Sequence, residues 1–135
     1  MSTNRWVLDS FAVLALIHGE PGYIRVRELL HEAARGTAEL HMSLINLVEV
    51  RYRIIRQGRD VQSRLSAVES LPVHRGSADA YIDAVVHLKA AHPVALADCF
   101  AVALAQELDC PVLTGDPEFK KLEGEVTVEW LGPNP

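Results

Sequence analysis

Cysteine is nearly missing: Cys99 and Cys110 are the only two in 135 residues, and no C-x-x-C pair occurs. That excludes a zinc ribbon and a disulfide scaffold, and a reduced intracellular chain is the expectation. Aromatic residues make up only 6% against 49% apolar overall, so the core has to be built from Leu, Val, Ile and Ala. No apolar run approaches the roughly 18 residues that span a membrane. Phe11 to Ile17 is too short, follows Asp9, and is not succeeded by a small-residue cleavage site before Glu20-Pro21, which argues against a signal peptide. A soluble, cytoplasmic protein is expected. Glycine-rich phosphate loops are absent, as both G-x-G-x-x-G and G-x-x-x-x-G-K-[ST] are missing. HEAAR, at His31 to Arg35, has no second histidine for a zincin helix. The six histidines show no metal spacing, and His18, His41 and His74 read as element-end residues. Net charge is −5, which weighs against a nucleic-acid partner unless acids and bases are segregated.

What is present alternates. Arg5 to Leu8 reads as a strand and Phe11 to Ile17 as a helix ending near Gly19. Pro21 marks the start of a second helix through IRVRELLHEAAR, stopped at Gly36. Ala38 to Met42 is a weak strand, and Ser43 caps LINLVEVRYRIIRQ up to Gly58. A helix follows over Val61 to Ser70, then a possible short strand at Leu71 to Val73. Ser77 is expected to cap a helix reaching Ala91, and Pro93 to open one reaching Leu108 or Asp109. Pro111 to Thr114 is a strand, Glu118 to Leu122 a helical turn, and Val126 to Leu131 a last strand. Strands separated by helices imply an α/β fold, with a mainly parallel sheet of about four or five strands between helical layers. At this length, and with no linker or repeat, residues 1–135 are expected to form one domain.

Four acids stand out from this pattern. Between His92 and Glu107, Asp98 is the only charged residue, on a helix that is otherwise small or apolar. A lone carboxylate there is costly unless a cation meets it, although an acid in a first helical turn also serves the helix dipole. Asp116 follows the strand PVLT, and Asp9 follows the first strand, where open parallel sheets place their ligand sites. Either could instead be local punctuation: Asp9 a helix cap, Asp116 a Gly-Asp-Pro turn residue. Glu49 lies between Val48 and Val50 near the buried stripe of its helix, and could equally pair with Arg53 four residues on. Thr114, two residues before Asp116, points to the same side in an extended segment. Carboxylates gathered together need a cation, and oxygen donors without paired His or Cys suit Mg²⁺ or Mn²⁺ better than zinc.

In order and spacing, VLDSFAVLAL, SLINLVEVRYRI, ALADCFAVALAQELDCPVLTGDPEF and VTVEWL resemble the PIN-domain ribonucleases, most closely the VapC toxins of toxin–antitoxin pairs. The likeness spans essentially the whole chain and is strongest over Leu96 to Phe119; Gly58 to His92 carries no motif. It implies a PIN-like three-layer α/β/α fold. It also implies that Asp9, Glu49, Asp98 and Asp116 form a catalytic, metal-holding cluster, with Thr114 and Ser10 supporting it by hydrogen bonds. With Asp9 placed in the cluster, Ser10 becomes the expected cap of the first helix. Gly115 stands where many relatives carry a larger residue.

The implied chemistry is hydrolysis of RNA phosphodiesters assisted by Mg²⁺ or Mn²⁺, leaving 5′-phosphate and 3′-hydroxyl ends, with no protein nucleophile. The implied partners are an RNA substrate, a cognate antitoxin and a second copy in a homodimer. Ten of the thirteen basic residues are arginine, and Arg51, Arg53, Arg56, Arg59 and Arg64 lead away from Glu49. With Lys120 and Lys121 they are candidates for phosphate contact, the alternative being a solvated helix face. A housekeeping PIN nuclease without an antitoxin and a noncatalytic binding module are the other readings. A phosphoacceptor receiver domain would need a lysine at the end of a late strand, and Trp130-Leu131-Gly132 has none.

Overall fold

The structure is a computed structural model and describes residues 4–132. In chain order the elements are β1 (Arg5–Leu8), α1 (Ser10–His18), α2 (Tyr23–Ala34), β2 (Glu39–His41), α3 (Leu44–Gln57), α4 (Val61–Glu69), α5 (Ile82–Ala91), α6 (Leu96–Leu108), β3 (Val112–Thr114) and β4 (Val128–Trp130). Short 3-10 turns occupy Asp79–Tyr81 and Pro117–Leu122. The four strands form one parallel sheet in the order β2-β1-β3-β4. Helices cover both faces, as the alternation of strands and helices requires.

Side-chain alternation along the strands sorts the core into two layers. Val7 pairs with Val112 and Leu8 with Leu113. Val7 and Val112 pack under α5, α6 and the 3-10 turn bearing Phe119. Leu8, Leu113 and Leu40 pack against α1, α2, α3 and α4 on the other face. The buried residues of the second layer are aliphatic, while the first also holds Tyr81, Phe100 and Phe119.

The local signals explain most boundaries. Ser43 Oγ accepts from Ile45 N at 3.1 Å to open α3, and Gly58 closes it in the left-handed region at φ 70°. Five boundaries differ from expectation. Pro21 does not start α2: Gly22 precedes it at φ 96°, a conformation glycine reaches without cost, and a Cβ there would lie 3.0 Å from Leu131 Cβ. Pro93 does not start α6, because Ala95 is extended (ψ 148°) and delays the helix to Leu96. Leu71 to Val73 forms no strand; the segment touches the sheet only through one bridge between His74 and His41. Ser77 Oγ accepts from Asp79 N and opens the first 3-10 turn, after which α5 begins at Ile82. The last strand is shorter than expected, from Val128 to Trp130. No helix among the described residues is long and apolar enough to cross a membrane.

Candidate metal centre

Strand order 2-1-3-4 puts the topological switch between β1 and β3, and parallel sheets bind ligands beyond the carboxyl ends of strands at such a point. Asp9 leaves β1 there, and Thr114 ends β3 beside it. Thr114 Oγ1 donates to Asp9 Oδ2 at 2.5 Å and accepts from Asp116 N at 3.0 Å. One buried hydroxyl thus ties both strand ends together. Asp9 Oδ1 accepts from Ala12 N at 2.9 Å, so Asp9 itself caps α1. The expectation that Ser10 would be the cap is corrected. Ser10 points inward, its Oγ donating to the Asn46 carbonyl at 3.2 Å and accepting from Asn46 Nδ2 at 3.1 Å. Asp116 Oδ1 likewise accepts from Glu118 N at 3.0 Å, capping the 3-10 turn. Capping and lining a site are compatible, because each carboxylate keeps lone pairs beyond the one given to the backbone.

Asp98 is in the first turn of α6 and buried, and its carboxylate accepts from the Ala95 backbone N–H at the start of the helix. Glu49, half-buried on α3, pairs with Arg53 at 3.2 Å, so the pair anticipated from the i,i+4 spacing forms. All four acids nonetheless line one cleft of about 310 Å³, with Ser10, Phe11, Leu14, Glu20, Arg53, Ala95 and Glu118. Six of these residues are acidic and Arg53 is the one cationic residue among them. Burial pushes the Asp9 carboxyl up to about 7 against the opposing hydrogen bonds from Thr114 and Ala12, with Asp98 and Asp116 adding repulsion. Asp98 is also pushed up to about 7, by burial first and then by Asp116, Glu49 and Glu118.

Sequence reasoning missed Glu20, Glu118, Phe11 and Asn46 as parts of this site. Glu118 had a signal in T-x-D-x-E, two residues past Asp116. Asn46 had one too, as the lone amide between Ile45 and Leu47. Its Nδ2 also donates to the Ala97 carbonyl at 3.3 Å, joining α3 to α1 and α6 beneath the cleft. Gly115 has a spatial reason: a Cβ there would lie 2.4 Å from Phe11 Cε1, so the Phe11 ring occupies the volume that a side chain would take.

The basic residues are not gathered. Arg53 enters the cleft; Arg51 pairs with Glu69 at 3.5 Å, and Arg56 lies over the Tyr52 ring at 5.1 Å. Arg64 Nη1 meets His18 Nδ1 at the end of α1, and Arg59 is exposed. Lys121 pairs with Glu118 at 2.9 Å on the cleft rim, while Lys120 is exposed.

The donors are carboxylate oxygens, the kind a hard divalent cation takes, but no three of the cleft acids bring ligating oxygens within 4.8 Å of one another, so a bound ion would draw them inward. Fold and cleft together define a three-layer α/β protein with an acidic site at the sheet's switch point. The PIN domain family model matches residues 6–125, and the chain belongs to that family. In fold the chain is similar to the DNA-bound VapBC of Salmonella typhimurium, at 19% identity and TM-score 0.70 over 94% of this chain and 98% of that one. It is similar also to VapBC2 of Rickettsia felis bound to a DNA fragment from their promoter, at 18% identity and TM-score 0.68 over 93% and 97%. A third is VapBC-5 of Mycobacterium tuberculosis, a member of the VapBC family of toxin–antitoxin systems, at 19% identity and TM-score 0.59 over 96% and 98%. Comparison with curated protein sequences finds no significant match.

Proposed function

We propose that the chain is a divalent-metal-dependent endoribonuclease and the VapC-like toxin of a type II toxin–antitoxin pair. The observation that carries the nuclease reading is the pair Asp9 and Asp98, both pushed up to about 7 and facing Asp116 in an acid-lined cleft. Buried, crowded acids of this kind would be held ionised at neutral pH by a bound cation. Asp9, Glu49, Asp98 and Asp116 would hold Mg²⁺ or Mn²⁺, which supplies Lewis acidity toward water and the scissile phosphate. The chain's own work is positional. Thr114 fixes Asp9 Oδ2 and, through Asp116 N, the turn that presents Asp116. Arg53 holds Glu49 against the cleft wall and offers a guanidinium to an approaching phosphate. Phe11 limits the mouth beside Gly115.

Membership of the PIN family supports nuclease chemistry, and the likeness in fold to VapBC structures supports the toxin role. Exposed apolar residues on α3 (Leu44, Ile45, Val48, Tyr52 and Ile55) run down one side of the helix. Such a stripe supports a protein partner, and the reading supplies two: a second copy and a cognate antitoxin. Purified chain free of antitoxin should cleave RNA in Mn²⁺ or Mg²⁺, and EDTA or Asp98→Asn should abolish cleavage. RNA left intact across varied substrates and both metals would sink the nuclease reading. Growth arrest on expression, relieved by the adjacent gene's product, tests the toxin role; cleavage without arrest would favour housekeeping RNA processing.

A further inference from the structure

Glu39, His41 and His74 lie outside the acidic cleft and take no part in the chemistry proposed for it. Glu39 and His41 are two apart on β2, an edge strand, so they share one side of the sheet. His74 comes from the segment after α4. Its N–H donates to the Leu40 carbonyl at 2.8 Å and its carbonyl accepts from Met42 N at 3.0 Å. That bridge stacks the His41 and His74 rings, with centroids 4.7 Å apart and planes 27° from parallel. Glu39 Oε1 lies 2.6 Å from His41 Nε2. One ligating atom from each of the three residues falls within 4.8 Å of the other two, and no other His, Cys, Asp or Glu trio among the described residues does so. The scattered histidines of the sequence therefore do form a cluster, made by a backbone bridge between distant segments.

We propose that Glu39, His41 and His74 form a second metal site, of a different class from the acidic cleft, suited to Zn²⁺. Two imidazoles and one carboxylate are borderline donors that favour zinc, whereas the cleft offers carboxylate oxygens that favour Mg²⁺ or Mn²⁺. Three protein ligands leave a fourth position for water. Ligands about 2.1 Å from a tetrahedral ion stand roughly 3.4 Å apart, so Glu39 and His41, 2.6 Å apart, have to part slightly while His74 adjusts, all by side-chain rotation. His74 is exposed and able to turn, while the His41 side chain is only 15% exposed and held in place. Arg5 Nε lies 3.1 Å from Glu39 Oε1, the oxygen that faces His41, so its guanidinium forms an ion pair with the carboxylate that an ion would share. Binding exchanges the Glu39–His41 hydrogen bond for two bonds to the ion and releases a proton where the imidazole carries one. The site reinforces the backbone bridge that already holds the segment after α4 on the sheet edge. β2 leads through Met42 and Ser43 into α3, so the site also fixes the entry of the helix that carries Asn46 and Glu49.

The test uses the full chain, stripped with EDTA and kept in excess Mg²⁺ so that the carboxylate cleft is occupied. Zn²⁺ should then bind one per chain and raise Tm, and Co²⁺ should give the intense visible absorption of four-coordinate nitrogen and oxygen ligation. His74→Ala removes an exposed side chain; it should weaken Zn²⁺ binding by about tenfold or more and cancel the Tm rise. Asp98→Asn should leave both unchanged. Should His41→Ala fail to fold, His74→Ala alone decides. Undiminished binding in the histidine variants, or binding lost in Asp98→Asn, would overturn the site. Neither result depends on whether the chain cuts RNA.

Discussion

Asp98 occupies a first helical turn, where it accepts from the Ala95 backbone N–H, and its charge faces Asp116, Glu49 and Glu118. Asp9, more deeply buried, spends one oxygen on the α1 cap and the other on Thr114. Both titrate near 7 in the fold, against 3.8 in the unfolded chain. The folded protein therefore holds protons that the unfolded chain has released between about pH 4 and pH 7. Metal-free stability should fall as pH rises through that window and level off above it. Asp98→Asn removes one of the two groups. Because Asp9 and Asp98 share the same repulsion, the gain is smaller than one full shift, about 1–2 kcal/mol at pH 8. At pH 4 it should vanish. Denaturant unfolding of wild type and variant at both pH values, in EDTA, measures this; Mn²⁺ should then stabilise the wild type and leave the variant nearly unmoved. A variant destabilised at pH 8 would mean that Asp98 is held by an unseen partner rather than strained by its neighbours.

At the scale of elements, the acids are legible as a coincidence: each has an ordinary local role, but four of them fall at strand ends or on apolar helix faces. Asp98 was a charge on an apolar helix, and Asp9 and Asp116 were acids at strand ends. What the sequence did not show was how four elements are brought to one point. That is Asn46's work: fully buried on α3, it bonds Ser10 of α1 and the Ala97 carbonyl of α6. An amide's partners are set by tertiary packing, so nothing in IleAsnLeu could name them. The same limit explains Pro21 and Pro93. A proline fixes its own φ, but the helix begins only when the residues after it turn helical, and Gly22 and Ala95 do not. The His41–His74 bridge was hidden for a stronger reason, since sequence spacing carries no information about a contact between an edge strand and a distant loop. Asn46→Ala leaves buried partners at Ser10 and Ala97 and should cost about 1–3 kcal/mol. It should also weaken Mn²⁺ retention, although Asn46 does not line the cleft. Unfolding curves and Mn²⁺ titration test the pair of effects. A stability loss with unchanged metal affinity would reduce Asn46 to a core residue.

The whole molecule has to reconcile a net charge of −5 with a polyanionic substrate, a difficulty inherent in the nuclease reading. Its acids and bases are only partly separated. Six acids line the cleft, where a divalent ion would offset them, while Arg51, Arg53 and Arg56 ride α3 with Arg59 just past its end. Arg51 and Arg53 already face Glu69 and Glu49. Arg56, stacked on Tyr52, and exposed Arg59 are better placed to meet phosphates beyond the cut site. Arg56→Gln with Arg59→Gln should therefore raise KM for RNA several-fold while leaving kcat and Mn²⁺ affinity unchanged. Each single-strand phosphate contact contributes about 0.7 to the slope of log affinity against log salt, so the double variant should flatten that slope by about 1.4. RNA binding measured in EDTA on Asp98→Asn protein, in which cutting is expected to be lost, across a salt series isolates this term from catalysis. An unchanged slope would make these two arginines a solvated helix face and move the search for the RNA path to the Lys120–Lys121 side of the cleft.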